Sequence, residues 1–189
     1  MPDHRSPAEL SSAAVHDVRG SVGSIRLAVT SVLADGDDDA EFRQMMLTTI
    51  ETETRRLDAA LSGLQALTDA LTDSEQPERV DLGEALRQAA AQAARRQVAT
   101  DVESLDAMTV TARPAALRAV IAALLGIAAD GAGSVILAAK ERENDVVLRI
   151  ARGDATAVAS ERALVRSLLA ALDAEATPDV DALEFRLPR

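Results

Sequence analysis

Two runs of aliphatic residues, spaced at helical intervals and separated by a short acidic break, constrain this chain more than anything else in it. Val15, Val18, Val22, Ile25, Val29 and Val32 recur at steps of three and four. Met46, Ile50, Glu53, Leu57, Ala60, Leu64, Leu67 and Leu71 do the same. Such spacing places each set on one stripe of a helix, as in a coiled-coil seam. Ser6-Pro7-Ala8-Glu9 supplies a start for the first helix: a serine cap, proline at the first helical position and a glutamate three residues after the cap. That helix is expected to run to about Leu33. Ala34-Asp35-Gly36-Asp37-Asp38-Asp39 breaks the pattern as a tight polar turn. The second helix is expected from about Ala40 to about Leu71. Two long helices joined by so short a turn pack antiparallel. One hairpin cannot cover both stripes, so the expectation is a homodimer whose paired hairpins form a four-helix bundle.

The pattern changes after the polar linker Thr72–Glu78. Val80-Asp81-Leu82 reads as a short strand entering a helix from about Gly83 to Arg96. Strands are expected at Val98–Val102 and Met108–Thr111, and a strongly apolar helix at Pro114–Ala129. Asp130-Gly131-Ala132-Gly133 is a turn. Ser134–Ala139 and Val146–Ala151 should form a β-hairpin around Glu141–Asp145, followed by a helix at Arg162–Leu172 and a strand at Ala182–Leu187. This is a small α/β sandwich, with helices over one face of a mixed sheet. The fold class is therefore α+β, with domains at 6–72 and 79–189.

Composition narrows the function. The chain has 189 residues, enough for one large or two small domains, and 48% of them are apolar. Phe42 and Phe185 are its only aromatic residues, so the core must be built from Leu, Val, Ile and Ala. The absence of cysteine excludes disulfides, thiolate metal sites and cysteine nucleophiles. A formal net charge of −11 opposes nucleic-acid binding, and no basic cluster with interleaved aromatics offsets it. No apolar run reaches membrane-spanning length and no signal-peptide pattern opens the chain, so a cytoplasmic protein is expected. The acidic turn Asp35–Asp39 is too short for a calcium loop and lacks the distal glutamate; it is read as solvated. His4 lies in a frayed end. Glu53 is either an edge residue or a polar spacer that sets register.

His16 is the residue with chemistry to offer. It opens the run His16-Asp17-Val18-Arg19-Gly20-Ser21-Val22 and lies one residue after Val15, so it should point away from the seam. An exposed imidazole is largely neutral at physiological pH and can act as a nucleophile. An isolated His-Asp pair on a helix is more often a solvated surface feature, and Arg19 alone would read as a helix-surface residue.

In its order of motifs, nearly the whole chain after residue 6 resembles the core of a sensor histidine kinase. The run from His16 to Val22 is similar to that family's phosphoacceptor box, with Ser21 where the family usually has proline. Glu53-Thr54-Arg55-Arg56-Leu57, followed by Leu61 and Leu64, is similar to its second dimerisation helix. Val80-Asp81-Leu82 resembles the entry to its ATP-binding domain. The nucleotide motifs are missing. Ala123-Leu124-Leu125-Gly126-Ile127-Ala128 stands where the family carries Asn-Leu-Leu-x-Asn-Ala, and neither alanine nor isoleucine can ligate a hard cation. Arg152-Gly153-Asp154-Ala155-Thr156 does not reproduce the adenine-binding Asp-x-Gly-x-Gly. Ala159 and Glu161 replace the glycines expected before Leu164-Val165-Arg166-Ser167-Leu168, and the segment after Ile150 is too short for an ATP lid.

The resemblance implies a kinase-like body without kinase chemistry, as in the dimeric histidine phosphotransferases. In that reading His16 takes and passes on phosphoryl groups. Asp17 orients its ring or takes its second proton, and Arg19 balances phosphoryl charge or pairs with an acid on the partner. A response-regulator receiver domain docks around Val22, Arg26 and Met46, bringing its own Mg²⁺, and the degenerate domain serves as a second docking wall. This chain then needs no cofactor or metal of its own. The runner-up is a non-catalytic pseudokinase that regulates a receiver or kinase by docking. An active kinase with unrecognised nucleotide contacts and an anti-sigma-type relative are weaker readings.

Overall fold

The computed structural model describes residues 7–34, 40–95, 98–103, 108–129, 134–153, 163–177 and 182–189. Its elements in chain order are α1 (Pro7–Ala34), α2 (Ala40–Thr72), β1 (Glu78–Asp81), α3 (Leu82–Ala94), β2 (Thr100–Val102), β3 (Thr109–Ala112), α4 (Pro114–Ala128), β4 (Val135–Glu141), β5 (Asp145–Arg152), α5 (Ala163–Ala170), β6 (Glu175–Thr177) and β7 (Ala182–Pro188). The expected α+β class holds: an N-terminal helical hairpin followed by an open-sheet α/β part. The expected turns at 35–39 and 130–133 lie outside the described residues. The chain divides into two compact units, up to Leu61 and from Ser62 onward, so the division falls inside α2.

In the first unit the buried stripe of α1 is rotated relative to the valine seam. Ala28 is buried, and Val18, Ser21, Ile25 and Val32 are half-buried. Val22 and Val29, seven residues apart, are 40% and 39% exposed. On α2, Met46, Ile50, Glu53, Leu57 and Ala60 are all half-buried. The hairpin thus leaves a second apolar flank on α1 open to solvent.

In the second unit the sheet order is β2-β4-β5-β7-β6, with β1 and β3 forming a separate antiparallel pair. β2 runs parallel to β4, and the remaining pairs are antiparallel. Alternation fills one sheet face: Val135 and Leu137 on β4, Val146, Leu148 and Ile150 on β5, and Leu183, Phe185 and Leu187 on β7 are all buried. Helix α4 is buried on nearly every side; Leu117, Val120, Ile121, Leu124 and Leu125 are fully inaccessible. A helix that is apolar all round must sit inside, and this one packs against α3, β5 and α5. Asp81 starts α3 by accepting the Glu84 backbone N–H at 3.0 Å, as the short strand-to-helix reading of Val80-Asp81-Leu82 requires.

Three expectations need correction. The α2 seam does not continue through Leu71, which is 60% exposed. From Gly63 onward the helix instead buries Gly63, Ala66, Leu67 and Ala70, because its last turns pack on the α/β unit and not within a hairpin. Helix α5 stops at Ala170, short of Leu172. The Ala174 N–H bonds to the Leu169 carbonyl and the Asp173 N–H to the Ala170 carbonyl, with Asp173 at φ 53°, a Schellman ending. Strand β6 was not expected, and Val98 and Ala99 precede β2 without joining it.

Arg113 ties this unit together. It precedes Pro114 at the start of α4 and donates no cap to its own helix. Its guanidinium donates to the carbonyls of Ala70 at 2.6 Å, Asp73 at 3.0 Å and Ala171 at 2.9 Å, at the C-terminal ends of α2 and α5. A cation suits the negative ends of two helix dipoles. Arg113→Ala is expected to lower unfolding free energy by about 3 kcal/mol, since charge-assisted hydrogen bonds are individually strong. Arg113→Lys should recover only part of this, because an ammonium cannot span the fork. Urea unfolding followed by circular dichroism measures both.

Candidate functional site

The segment expected to carry phosphoryl chemistry, residues 16–22, lies wholly within α1, and the helix runs through Ser21 without a break. The side chains of 7–17, and with them the outward orientation expected of His16 and Asp17, lie outside the described residues. The neighbouring positions are described. Arg19, Val22 and Arg26 are exposed, and Val18 is half-buried. Val22 and Arg26, one helical turn apart, share a face of α1. Met46 is half-buried on α2, between the exposed Met45 and Leu47.

Helical spacing puts position 16 on the same face as positions 20, 23 and 27. Gly20 and Gly23 are exposed, and Leu27 is 70% exposed. Leu27 is a surface residue that the seam analysis passed over. The available signal was a leucine falling off the valine stripe on the side of His16.

The positions corresponding to the nucleotide motifs are clearest on α4. Ala123 is 3% exposed and Ile127 5%, beneath apolar neighbours. The Ile127 Cδ1 lies 3.5 Å from where a Cβ on Gly63 would stand, so the last turns of α2 cover this face of α4. An alkyl surface covered in this way offers neither a donor for a purine nor an oxygen for a divalent ion. Gly153 ends β5 with its N–H bonded to the Ser134 carbonyl at 2.8 Å. A Cβ there would stand 2.1 Å from Ser134 Oγ, so packing against Ser134 accounts for this glycine. Asp154, Ala155, Thr156, Ala159 and Glu161 lie outside the described residues. On α5, Leu164, Val165 and Leu168 are buried and Arg166 is exposed. Among the described residues no three His, Asp or Glu side chains gather as a metal ion would need. No described helix is long and apolar enough to cross a membrane.

No family model matches the sequence. No curated protein matches it either. Solved structures do match. The histidine kinase ThkA, in its complex with the response regulator protein TrrA, aligns with a TM-score of 0.51 at 11% identity, over 95% of this chain and 60% of that one. The fold is histidine-kinase-like. The ATP-binding domain of PrrB from Mycobacterium tuberculosis matches 60% of this chain and 96% of its own at 20% identity, TM-score 0.49. A structure described as a bacterial phosphotransferase matches 99% of both chains at 13% identity, TM-score 0.48. At 11% identity the likeness to ThkA speaks for the fold alone.

An asparagine placed on α4 tests what that face tolerates. Ile127→Asn would leave an amide without partners against Leu164 and the α2 backbone. It is expected to lower unfolding free energy by about 3 kcal/mol, and Mg²⁺-ATP is expected to leave the melting temperature of both variant and parent unchanged. Calorimetry with and without nucleotide reads both effects.

Proposed function

We propose that this protein is a histidine phosphotransferase of a two-component phosphorelay, passing phosphoryl groups between response-regulator receiver domains through His16 without ATP. One observation carries the reading: within a histidine-kinase-like fold, the α4 positions that should be polar toward nucleotide are Ala123 and Ile127, both buried, while the run His16–Val22, with Ser21 in the usual proline position, lies on α1.

The transfer balances simply. A neutral ring nitrogen of His16 attacks the phosphorus of a receiver's aspartyl phosphate in line. The N–P bond forms as the P–O bond to the aspartate breaks, and the carboxylate leaves as an anion. Asp17 holds the ring or accepts its remaining proton, and Arg19 offsets charge on the phosphoryl oxygens. The reverse step donates to a second receiver. The metal that such a transfer uses is the receiver's own Mg²⁺, so this chain supplies nucleophile and docking surface only.

The receiver docks on the exposed face of α1 that carries Val22 and Arg26, with Met46 on α2 and Leu27, about three turns along α1 from position 16, as a further contact. The α/β part, domain 79–189, serves as a docking wall. The hairpin, domain 6–72, dimerises, and the apolar flank left open at Val29 is what a second copy would cover. Such a protein works in the cytoplasm, where receivers are found. The runner-up, a pseudokinase that docks without taking phosphate, fits the same apolar α4 face; only the chemistry of His16 separates the two.

The purified protein, incubated with a panel of pre-phosphorylated receivers, is expected to acquire acid-labile, base-stable label, and His16→Ala none. Binding of a receiver with no label on the parent protein would move the assignment to the pseudokinase. Val29→Glu is expected to convert a dimer to a monomer by light scattering, because burying a carboxylate in an apolar bundle is unfavourable. A monomeric parent protein would remove the bundle from the account.

A further inference from the structure

The last three turns of α2 are built differently from the rest of that helix. Gly63, Ala66, Leu67 and Ala70 recur at i, i+3, i+4 and i+7, and all four are buried. Three of them are among the smallest residues, so the helix backbone itself approaches its neighbours. At Gly63 the approach is closest: a Cβ would stand 2.8 Å from Leu164 Cδ2, 3.3 Å from Leu164 Cγ and 3.5 Å from Ile127 Cδ1. Leu164 and Ile127 are themselves buried, on α5 and α4. Glycine inside a helix is about 1 kcal/mol less favourable than alanine. The contact with α4 and α5 is what offsets that penalty here. At the other end of the segment, Arg113 holds the carbonyls of Ala70 and Asp73 together with that of Ala171. The segment is therefore fixed twice, by a fit that admits no side chain and by a charge-assisted clasp.

We propose that Ser62–Thr72 is a self-docked latch: the chain's own helix end is the occupant of the groove between α4 and α5, seated through Gly63, and it opens as a unit while the sheet stays folded. The latch rests on the reading that this face takes no nucleotide, since the helix occupies it instead. Its separate opening follows from how it is held. The latch contributes no strand and no sheet hydrogen bond, whereas β4, β5 and β7 pair along their lengths. A segment held by one seat and one clasp, outside the sheet ladder, can open below the global unfolding free energy.

Hydrogen exchange by mass spectrometry on the full chain tests this. In Gly63→Val, amides of 66–72 are expected to exchange at least tenfold faster, with 135–152 unchanged, and an apolar dye should bind the uncovered groove. Loss of protection in both segments together, or in neither, overturns the latch. Should Gly63→Val not fold, a cycle of Gly63→Ala with Leu164→Ala decides. The alanine Cβ fits once the leucine end is gone, so the double variant is expected to be more stable than additivity predicts, and strict additivity overturns the seat. Mg²⁺-ATP added to the opened variant separates the two ideas. Nucleotide-induced protection of α4 would remove the nucleotide-free reading while leaving the latch standing.

Discussion

Burial of α4 on nearly every side is the constraint on which the second unit depends. The run Ala116–Ala128 has sheet, α3, α5 and the end of α2 around it, and it carries no ionic group that those neighbours must satisfy except Arg118, which is only half-buried. A helix in that position can be apolar and stabilising, or it can present polar groups to a ligand. It cannot do both on the same face, because a buried amide without a partner is penalised by desolvation. Ala123 and Ile127 take the first option. With that face apolar, α2 can lie across it, and Arg113, at the start of the same helix, is placed to bind the carbonyls at the ends of both neighbours.

The elements visible in the sequence were those whose periodicity is set by a single partner. The β4–β5 hairpin and β7 are legible because each buries one alternating face, and the two long helices are legible as helices from their repeat at steps of three and four, though not in which stripe they bury. Where two partners compete for one helix, the stripe moves. On α2 the spacing of Leu64, Leu67 and Leu71 continues the hairpin pattern, yet Leu71 is exposed and Ala70 buried. Small residues contribute little to a hydrophobic pattern, so Gly63, Ala66 and Ala70 did not register as a contact face. The same weakness hid β6: Glu175-Ala176-Thr177 is three residues long with alanine as its one apolar member, and β7 supplies its pairing partner. The end of α5 was missed for a related reason. Asp173 adopts the left-handed conformation usually given to glycine, so the stop signal was absent from the residue type.

The candidate site divides in the same way. That α4 lacks nucleotide ligands could be read directly from residue types, because an alkyl group cannot coordinate magnesium wherever it lies. The docking surface could not. Val22 and Arg26 do emerge exposed on one face, but Leu27, which is 70% exposed, sits off the seam and leaves no periodic trace.

The partial exposure of Val29 bears on why a hairpin of this kind would pair. An α1 stripe centred on Ser21, Ile25, Ala28 and Val32 serves the hairpin partner, and a second stripe one position round the helix is left over. An isolated hairpin gains nothing from that second stripe. A bundle of two hairpins does, since each helix then has two neighbours and needs an apolar sector wide enough for both. The wide sector, in turn, confines polar and small residues to the remaining arc of α1. That arc holds Arg19, Gly20, Gly23 and Arg26, with Leu27 as its one exposed apolar member. A nucleophile placed there would be open to a partner and supported by a helix whose other faces are committed to packing. In this reading, dimerisation and phosphoryl transfer are two uses of one helix, kept apart by the angle between its faces.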